Sequence, residues 1–157
     1  MRNTTEILSI LETVCDPEVP VLSILDLGIV RDIKFNSDEV EVVITPTYSG
    51  CPAMDAISID IKLKLIEHGY KKNRITSVLS PAWTTDWMSE SGKRKLKAYG
   101  IAPPQYSTGG NPEEISVECP LCHSKNTTMI SRFGSTACKA LYQCNDCKEP
   151  FDYFKCH

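Results

Sequence analysis

Two Cys-x-x-Cys pairs, CPLC at Cys119 to Cys122 and CNDC at Cys144 to Cys147, are separated by 21 residues near the end of a 157-residue chain. Each pair folds into a tight knuckle whose two thiolates point to one side. Two knuckles carried on hairpins supply the four soft sulfurs of a closed tetrahedral site, the geometry of structural Zn2+. A tail of this size buries too little surface to hold itself together, so metal-binding free energy becomes folding free energy. Iron in a rubredoxin-like site uses nearly the same ligands and is the competing reading. Many such knuckles carry Gly directly after the second cysteine, where the backbone turns left-handed. Here His123 and Lys148 stand in those places, and a side chain forced there costs about 1 kcal/mol.

Six of the eight cysteines (Cys119, Cys122, Cys138, Cys144, Cys147 and Cys156) fall in the last 39 residues, which separates a cysteine-rich tail from a cysteine-poor body. The start, MRNTTEILSI, lacks the sections of a secretory signal, and no run reaches the roughly 20 apolar residues of a membrane span. The expected place is the cytoplasm, where thiols stay reduced and cysteines serve metals or thiol chemistry rather than disulfides. Cys138, Cys156 and His157 read as buried thiols and a chain end rather than as a second metal site. His123 reads as a loop residue.

The body has room for one core. Asn3 and Glu6 resemble a capping box opening a helix through Ile7, Leu8, Leu11, Val14 and Cys15, which Asp16-Pro17 stops. Ile29 to Phe35 and Val40 to Thr45 flank the turn residues Asn36, Ser37 and Asp38 as a hairpin, and Ile75 to Leu79 supplies a third strand. After Cys51 the sequence carries two periods at once. Ile57, Ile59, Ile61, Leu63 and Leu65 alternate as in a strand, whereas Ala53, Ile57, Ile61 and Leu65 make one helical stripe. Pro52 at the start, His68-Gly69 at the end and the length between them favour the helix. A last helix follows Ser89 and runs to Tyr99, and APPQYSTGGNPEE reads as a linker. The expected class is α+β: a two-layer α/β domain with a short sheet over residues 1–104, a linker at 105–117, and an all-β zinc ribbon at 118–157.

Cys51 stands in TPTYSGCPAMD, between Gly50 and Pro52. If Pro52 opens the helix, Cys51 is its N-cap, where backbone N–H groups and the positive end of the helix dipole favour a thiolate. A buried cysteine at a turn is the equally weighted alternative. Thr45, Thr47, Tyr48 and Ser49 place hydroxyls in the same loop. A thiol hydrolase needs a base beside the sulfur. His68 is seventeen residues further along the helix, roughly 25 Å away at 1.5 Å per residue, and His123 and His157 belong to the tail. A soft metal ligand or transfer thiol suits Cys51 better.

Taken together, DPEVPVLSILDLGIV, TPTYSGCPAMD, SPAWTTDWMSESGKRKLKAYGIAPP and FGSTACKALYQCNDCKEPFDYFKCH make the chain resemble the PaaD-type (PaaJ) accessory subunits of the bacterial phenylacetyl-CoA epoxidase system. The resemblance spans nearly the whole chain. It implies an iron-sulfur-assembly-type α/β domain followed by a zinc ribbon, with maturation of the epoxidase complex as the role rather than catalysis. It implies further that Cys51 is the reactive thiol with Asp16 and Thr47 nearby, and that Cys119, Cys122, Cys144 and Cys147 hold the metal. The expected partners are proteins of that complex, with a homodimer as a way to supply two thiols. The expected cofactor is structural Zn2+, with iron or an iron-sulfur cluster carried in transit. The alternative function is an integral redox or structural subunit with metal in the four-cysteine site.

Net charge of −3 and a sequence pI of about 5.6 give no field that draws the chain to nucleic acid or an anionic membrane. From Ser107 onward five basic residues meet six acidic ones, which leaves a ribbon little with which to neutralise phosphate. Lys93, Arg94, Lys95 and Lys97 read as a solvated helix face, and Trp83 and Trp87 as packing anchors or a partner groove with similar weight.

Overall fold

The computed structural model describes residues 3–48, 50–104 and 116–154. Its packing divides into two compact units, residues 1–83 with 87–89, and residues 84–86 with 90–157. Among the described residues no helix is long and apolar enough to cross a membrane.

The first unit opens with helix α1, Thr4–Leu11, capped by the Asn3 side chain, which accepts from the Thr5 backbone N–H. The expected reciprocal bond from Glu6 is replaced by another contact: Glu6 accepts from the Tyr70 hydroxyl at 2.7 Å. The helix also stops before Cys15. Thr13 closes a tight turn onto the Ile10 carbonyl through both its N–H and its hydroxyl, and a hydroxyl that takes a backbone carbonyl competes with helix continuation. Val14 is still fully buried, while Cys15 is exposed and bridges to Ser23.

A one-turn helix α2, Ile24–Leu27, then forms inside a capping box of Ser23 and Asp26. Gly28 ends it at φ +73, where a Cβ would fall 2.1 Å from the Trp87 carbonyl oxygen, so only Gly fits. Strands β1, Val30–Asn36, and β2, Glu39–Ile44, pair antiparallel across the expected turn, and β3, Asn73–Ser77, joins β2 in parallel. Parallel pairing demands a crossover, and α3, Ala53–Glu67, supplies it. This helix packs against α1 and β3. Its inner stripe is Ala53, Ile57, Ile61 and Leu65, and the fully buried Val40, Val42 and Ile44 of β2 complete the core. Of the two periods in the sequence, the helical one holds.

Trp83 is buried, and its indole N–H donates to the Leu27 carbonyl at 2.8 Å, so it is an anchor. Trp87 is half-buried, with the Arg31 guanidinium 3.8 Å above its ring.

The second unit begins with α4, Glu90–Ala98, followed by the two-residue strand β4, Ile101–Ala102. A four-stranded sheet has the order β4-β7-β6-β5, with β5 at Thr127–Ser131, β6 at Lys139–Cys144 and β7 at Pro150–Phe154. Neighbours β5, β6 and β7 run antiparallel, and β4 lies parallel to β7. Its core gathers Ala102, Val117, Tyr142, Phe151 and Tyr153 around the buried Cys119 and Cys144. Tyr142 stacks on Phe151 at 5.9 Å and meets Tyr153 edge-on at 5.6 Å, arrangements that favour aromatic quadrupoles. Residues 105–115 of the expected linker lie outside the described residues.

Candidate functional site

The two cysteine pairs adopt one backbone scheme. In the first knuckle the Cys119 N–H donates to the Ser124 carbonyl at 2.8 Å, and the His123 N–H donates to the Cys119 carbonyl at 3.0 Å. In the second, the Cys144 N–H donates to the Glu149 carbonyl at 3.0 Å and the Lys148 N–H to the Cys144 carbonyl at 3.0 Å. Closing both bonds forces the residue after the second cysteine into left-handed backbone. His123 stands at φ 64 and Lys148 at φ 68, so the positions expected to require Gly do adopt its conformation.

The four Sγ atoms of Cys119, Cys122, Cys144 and Cys147 all lie within 4.8 Å of one another. Cys119 and Cys147 are 3.8 Å apart, and Cys122 and Cys144 are 3.5 Å apart. A tetrahedral metal with sulfur at about 2.3 Å requires sulfur–sulfur edges of about 3.8 Å, so the donor set fits a metal ion. Without a cation the thiols of Cys122, Cys144 and Cys147 are shifted in different directions. The Cys144 thiol is drawn down to about 7, chiefly by the Cys147 backbone N–H. Cys147, although lowered by the Glu149 N–H, is pushed up to about 12 by burial and its three neighbours. Cys122 accepts from the Ser124 backbone N–H yet is also raised, by Cys144 and burial. A divalent cation is what lets all four ionise together.

A polar shell surrounds these knuckles. Glu118 accepts from His123 Nδ1 at 3.0 Å and from Lys97 Nζ at 3.5 Å, and the His123 bond foremost holds its carboxyl below the usual range. His123 is therefore committed to Glu118 and is outside the thiol cluster, as its loop reading anticipated. Asp146 accepts from Ser124 and from Asn126, with the Ser124 bond foremost in lowering its carboxyl. Sequence reasoning missed this shell. Its only local signal is the polar pair Asn145-Asp146 within CNDC, against the apolar Pro120-Leu121 of CPLC.

In the first unit Cys51 is half-buried on the loop between β2 and α3. Its N–H donates to the Tyr48 carbonyl at 3.3 Å, and its carbonyl accepts from the Met54 N–H at 3.3 Å. Gly50 turns the chain at φ 79 just before it. The N-cap of α3 is Pro52, with no side-chain cap. Cys51 therefore sits one residue outside the helix, because Pro52 already takes up the half-helical flanking position, and the expected N-cap role of its sulfur is not realised.

Thr47 is half-buried on the same loop, whereas Asp16 stands on the loop between α1 and α2. The buried Asp16 carboxylate accepts from the backbone N–H groups of Glu18 at 2.7 Å and Val19 at 3.4 Å, which shapes its own turn. Thr45, 1% exposed, is a buried hydroxyl without a hydrogen-bond partner among the described residues. His68 bonds back to the Lys64 carbonyl at the far end of α3. Cys138 is buried, its sulfur 3.0 Å from the Thr136 hydroxyl, while Cys156 and His157 lie outside the described residues. In the basic run of α4, Lys93 pairs with Glu90 and Lys97 with Glu118.

Residues 4–73 match the family described as iron-sulfur cluster assembly protein, and residues 103–155 match the PaaD zinc beta ribbon domain. The chain is 46% identical to an Escherichia coli (strain K12) protein named as a subunit of a "Putative 1,2-phenylacetyl-CoA epoxidase", over 96% of this chain and 92% of that one. It is 35% identical to the "Fe-S protein maturation auxiliary factor" of Porphyromonas gingivalis (strain ATCC BAA-308 / W83), over 61% of this chain and 92% of the relative. The fold resembles a solved domain of unknown function, DUF59, from Bacillus anthracis, with a TM-score of 0.55 at 28% identity, covering 59% of this chain and 89% of that one. An assembly-type α/β unit and a four-cysteine ribbon, matched together by one relative over 96% of the chain, place it in the PaaD family of phenylacetyl-CoA epoxidase subunits.

Proposed function

We propose that this protein is an accessory maturation factor of a phenylacetyl-CoA epoxidase system, working in the cytoplasm on phenylacetate degradation. In this reading Cys51, with Asp16 and Thr47 beside it, passes iron or an iron-sulfur cluster to a client subunit, and the ribbon holds Zn2+ and docks that client. The observation that carries the reading is the pairing of the two family matches in one chain, since the assembly-type match spans the Cys51 loop and the ribbon match spans all four clustered cysteines. The chemistry agrees. Thiolates bind iron and iron-sulfur clusters, and one donor thiol per chain favours shared, transient ligation over storage. A homodimer would bring two such thiols to one cluster.

Replacing Cys51 with Ser should abolish epoxidase activity in cells grown on phenylacetate while the purified variant keeps its circular dichroism and its metal. Full epoxidase activity in that strain would reject the transfer role.

A second reading makes the chain an integral redox subunit with iron in the ribbon, since four thiolates at these spacings suit iron as well as zinc. Elemental analysis and a visible spectrum of protein purified without oxygen separate the two. Stoichiometric zinc in a colourless protein is the expected result, and iron with thiolate charge-transfer bands would favour the second reading.

A further inference from the structure

The second knuckle does more than supply two thiols. Its interior residues, Asn145 and Asp146, reach across to the stretch that leaves the first knuckle. Asp146 accepts from the Ser124 hydroxyl through one carboxylate oxygen and from Asn126 Nδ2 at 3.2 Å through the other. Asn145 Nδ2 donates to Asn126 Oδ1 at 3.0 Å and to the Thr128 hydroxyl at 3.0 Å, and the Asn145 backbone N–H donates to the Asn126 carbonyl at 2.8 Å. The Asn126 backbone N–H closes the ring on the Ser124 hydroxyl at 3.1 Å. Both ends of the Asn126 amide are thus held, one by Asn145 and one by Asp146.

We infer that Asn145 and Asp146 are positioning residues for the metal: they clasp the exit of the first knuckle and hold the two thiol pairs at coordinating distance. This rests on reading the four cysteines as a metal site. The partners are 17 to 22 residues apart in sequence, so the clasp restrains the separation between knuckles, which neither knuckle's own backbone bonds restrain. Each contact alone exchanges readily with water. Closed into one ring, they order the ligands before the ion arrives, as outer-shell partners of metal ligands do elsewhere, where their loss costs about 10- to 100-fold in affinity.

Electrostatics alone predicts the opposite sign. A divalent ion with four thiolates carries net negative charge, so deleting a neighbouring carboxylate should favour binding.

The test uses the full-length chain, stripped of metal under reducing conditions and titrated with Co2+ and then with Zn2+ against a chromophoric chelator. Asp146→Ala should weaken Zn2+ by about 10-fold or more, while the Co2+-saturated protein keeps the charge-transfer bands of four thiolates. Asp146→Asn keeps the shape: its Oδ1 can still accept from Asn126 Nδ2, and its Nδ2 can donate to the Ser124 hydroxyl oxygen in a reversed bond, so it should recover most of the affinity lost in the alanine variant. Asn145→Ala removes the other limb and should weaken binding in the same direction, which keeps the test decisive if Asp146→Ala fails to fold.

Unchanged or tighter Zn2+ binding in Asp146→Ala would overturn the clasp, as would an Asp146→Asn variant as weak as the alanine. Failure of the wild-type chain to bind Zn2+ or Co2+ would instead remove the metal reading, and the clasp with it.

Discussion

At His123 and Lys148 the same backbone demand is met in two ways. Both carry a Cβ in left-handed conformation, at φ 64 and 68, which costs about 1–2 kcal/mol per residue relative to ordinary helical backbone. His123 gains the bond to Glu118 in exchange. Lys148 is exposed, and its role in the knuckle is carried by main-chain atoms, its N–H on the Cys144 carbonyl and its own carbonyl accepting from Gln143 Nε2 at 3.1 Å. Lys148→Gly should therefore raise the melting temperature of the metal-loaded protein, because the relief exceeds the extra chain entropy of Gly, about 0.5–1 kcal/mol. His123→Gly should gain less or fall below wild type. Thermal melts of the two variants, measured side by side, decide it, and an equal or larger gain at His123 would show that the Glu118 contact contributes nothing. The need for left-handed backbone was legible from the spacing of the cysteines. The compensation was not, because Glu118 precedes the motif and nothing in its identity marks it as the partner.

Among the elements, α3 carries an apolar face toward the core and another away from it. Ile57, Ile61 and Leu65 are buried, while Ile59, Leu63 and Ile66 are 59%, 53% and 46% exposed. Ile61→Ala should cost about 2–5 kcal/mol, the range for emptying a packed site. Ile59→Ala on the same helix should stay within about 0.5 kcal/mol. Urea denaturation midpoints at equal m would report both, and comparable losses would mean that the outer face is covered in solution.

This double face is also why the segment read ambiguously. Alternating Ile and Leu satisfy a strand template, and only Pro52, the His68-Gly69 end and the length favoured a helix. The hairpin β1-β2 was legible because its turn residues are local. The early end of α1 was not, since Val14 is buried without being helical. Helix α2 went unseen because four residues are too few for any periodicity, although Ser23 with Asp26 is a capping pair. The parallel pairing of β3 with β2 depends on where α3 returns the chain, a tertiary fact. In the site, the metal ligands were legible because their spacing is itself the geometry, whereas the Cys51 loop needs its three-dimensional setting to be read.

On the scale of the whole molecule, two cores are held by different means. The first unit buries aliphatic side chains from α1, α3 and β2, whereas the second has a small aromatic core with Cys119 and Cys144 inside it. Metal removal should accordingly separate them. Both tryptophans, Trp83 and Trp87, belong to the first unit, and the clustered Tyr142, Phe151 and Tyr153 belong to the second, so tryptophan emission reports the first unit, and the metal-dependent part of the tyrosine signal, above the background of Tyr48 and Tyr70, reports the second. The same separation should follow acidification. Binding requires ionised thiols, and with Cys147 at about 12 and Cys144 at about 7 in the metal-free cluster, metal uptake at neutral pH releases protons. Affinity therefore rises with pH and falls as acid returns those protons. A strong chelator under reducing conditions, or a descent below neutral pH, should remove the contribution of Tyr142 and Tyr153 to the near-ultraviolet circular dichroism, leaving that of Tyr48 and Tyr70, while the tryptophan emission maximum stays in place. Restoring Zn2+ at neutral pH should bring the tyrosine signal back. A tyrosine signal indifferent to the chelator would mean that burial alone holds the ribbon, and a simultaneous red shift of tryptophan would mean that the first unit also depends on the metal.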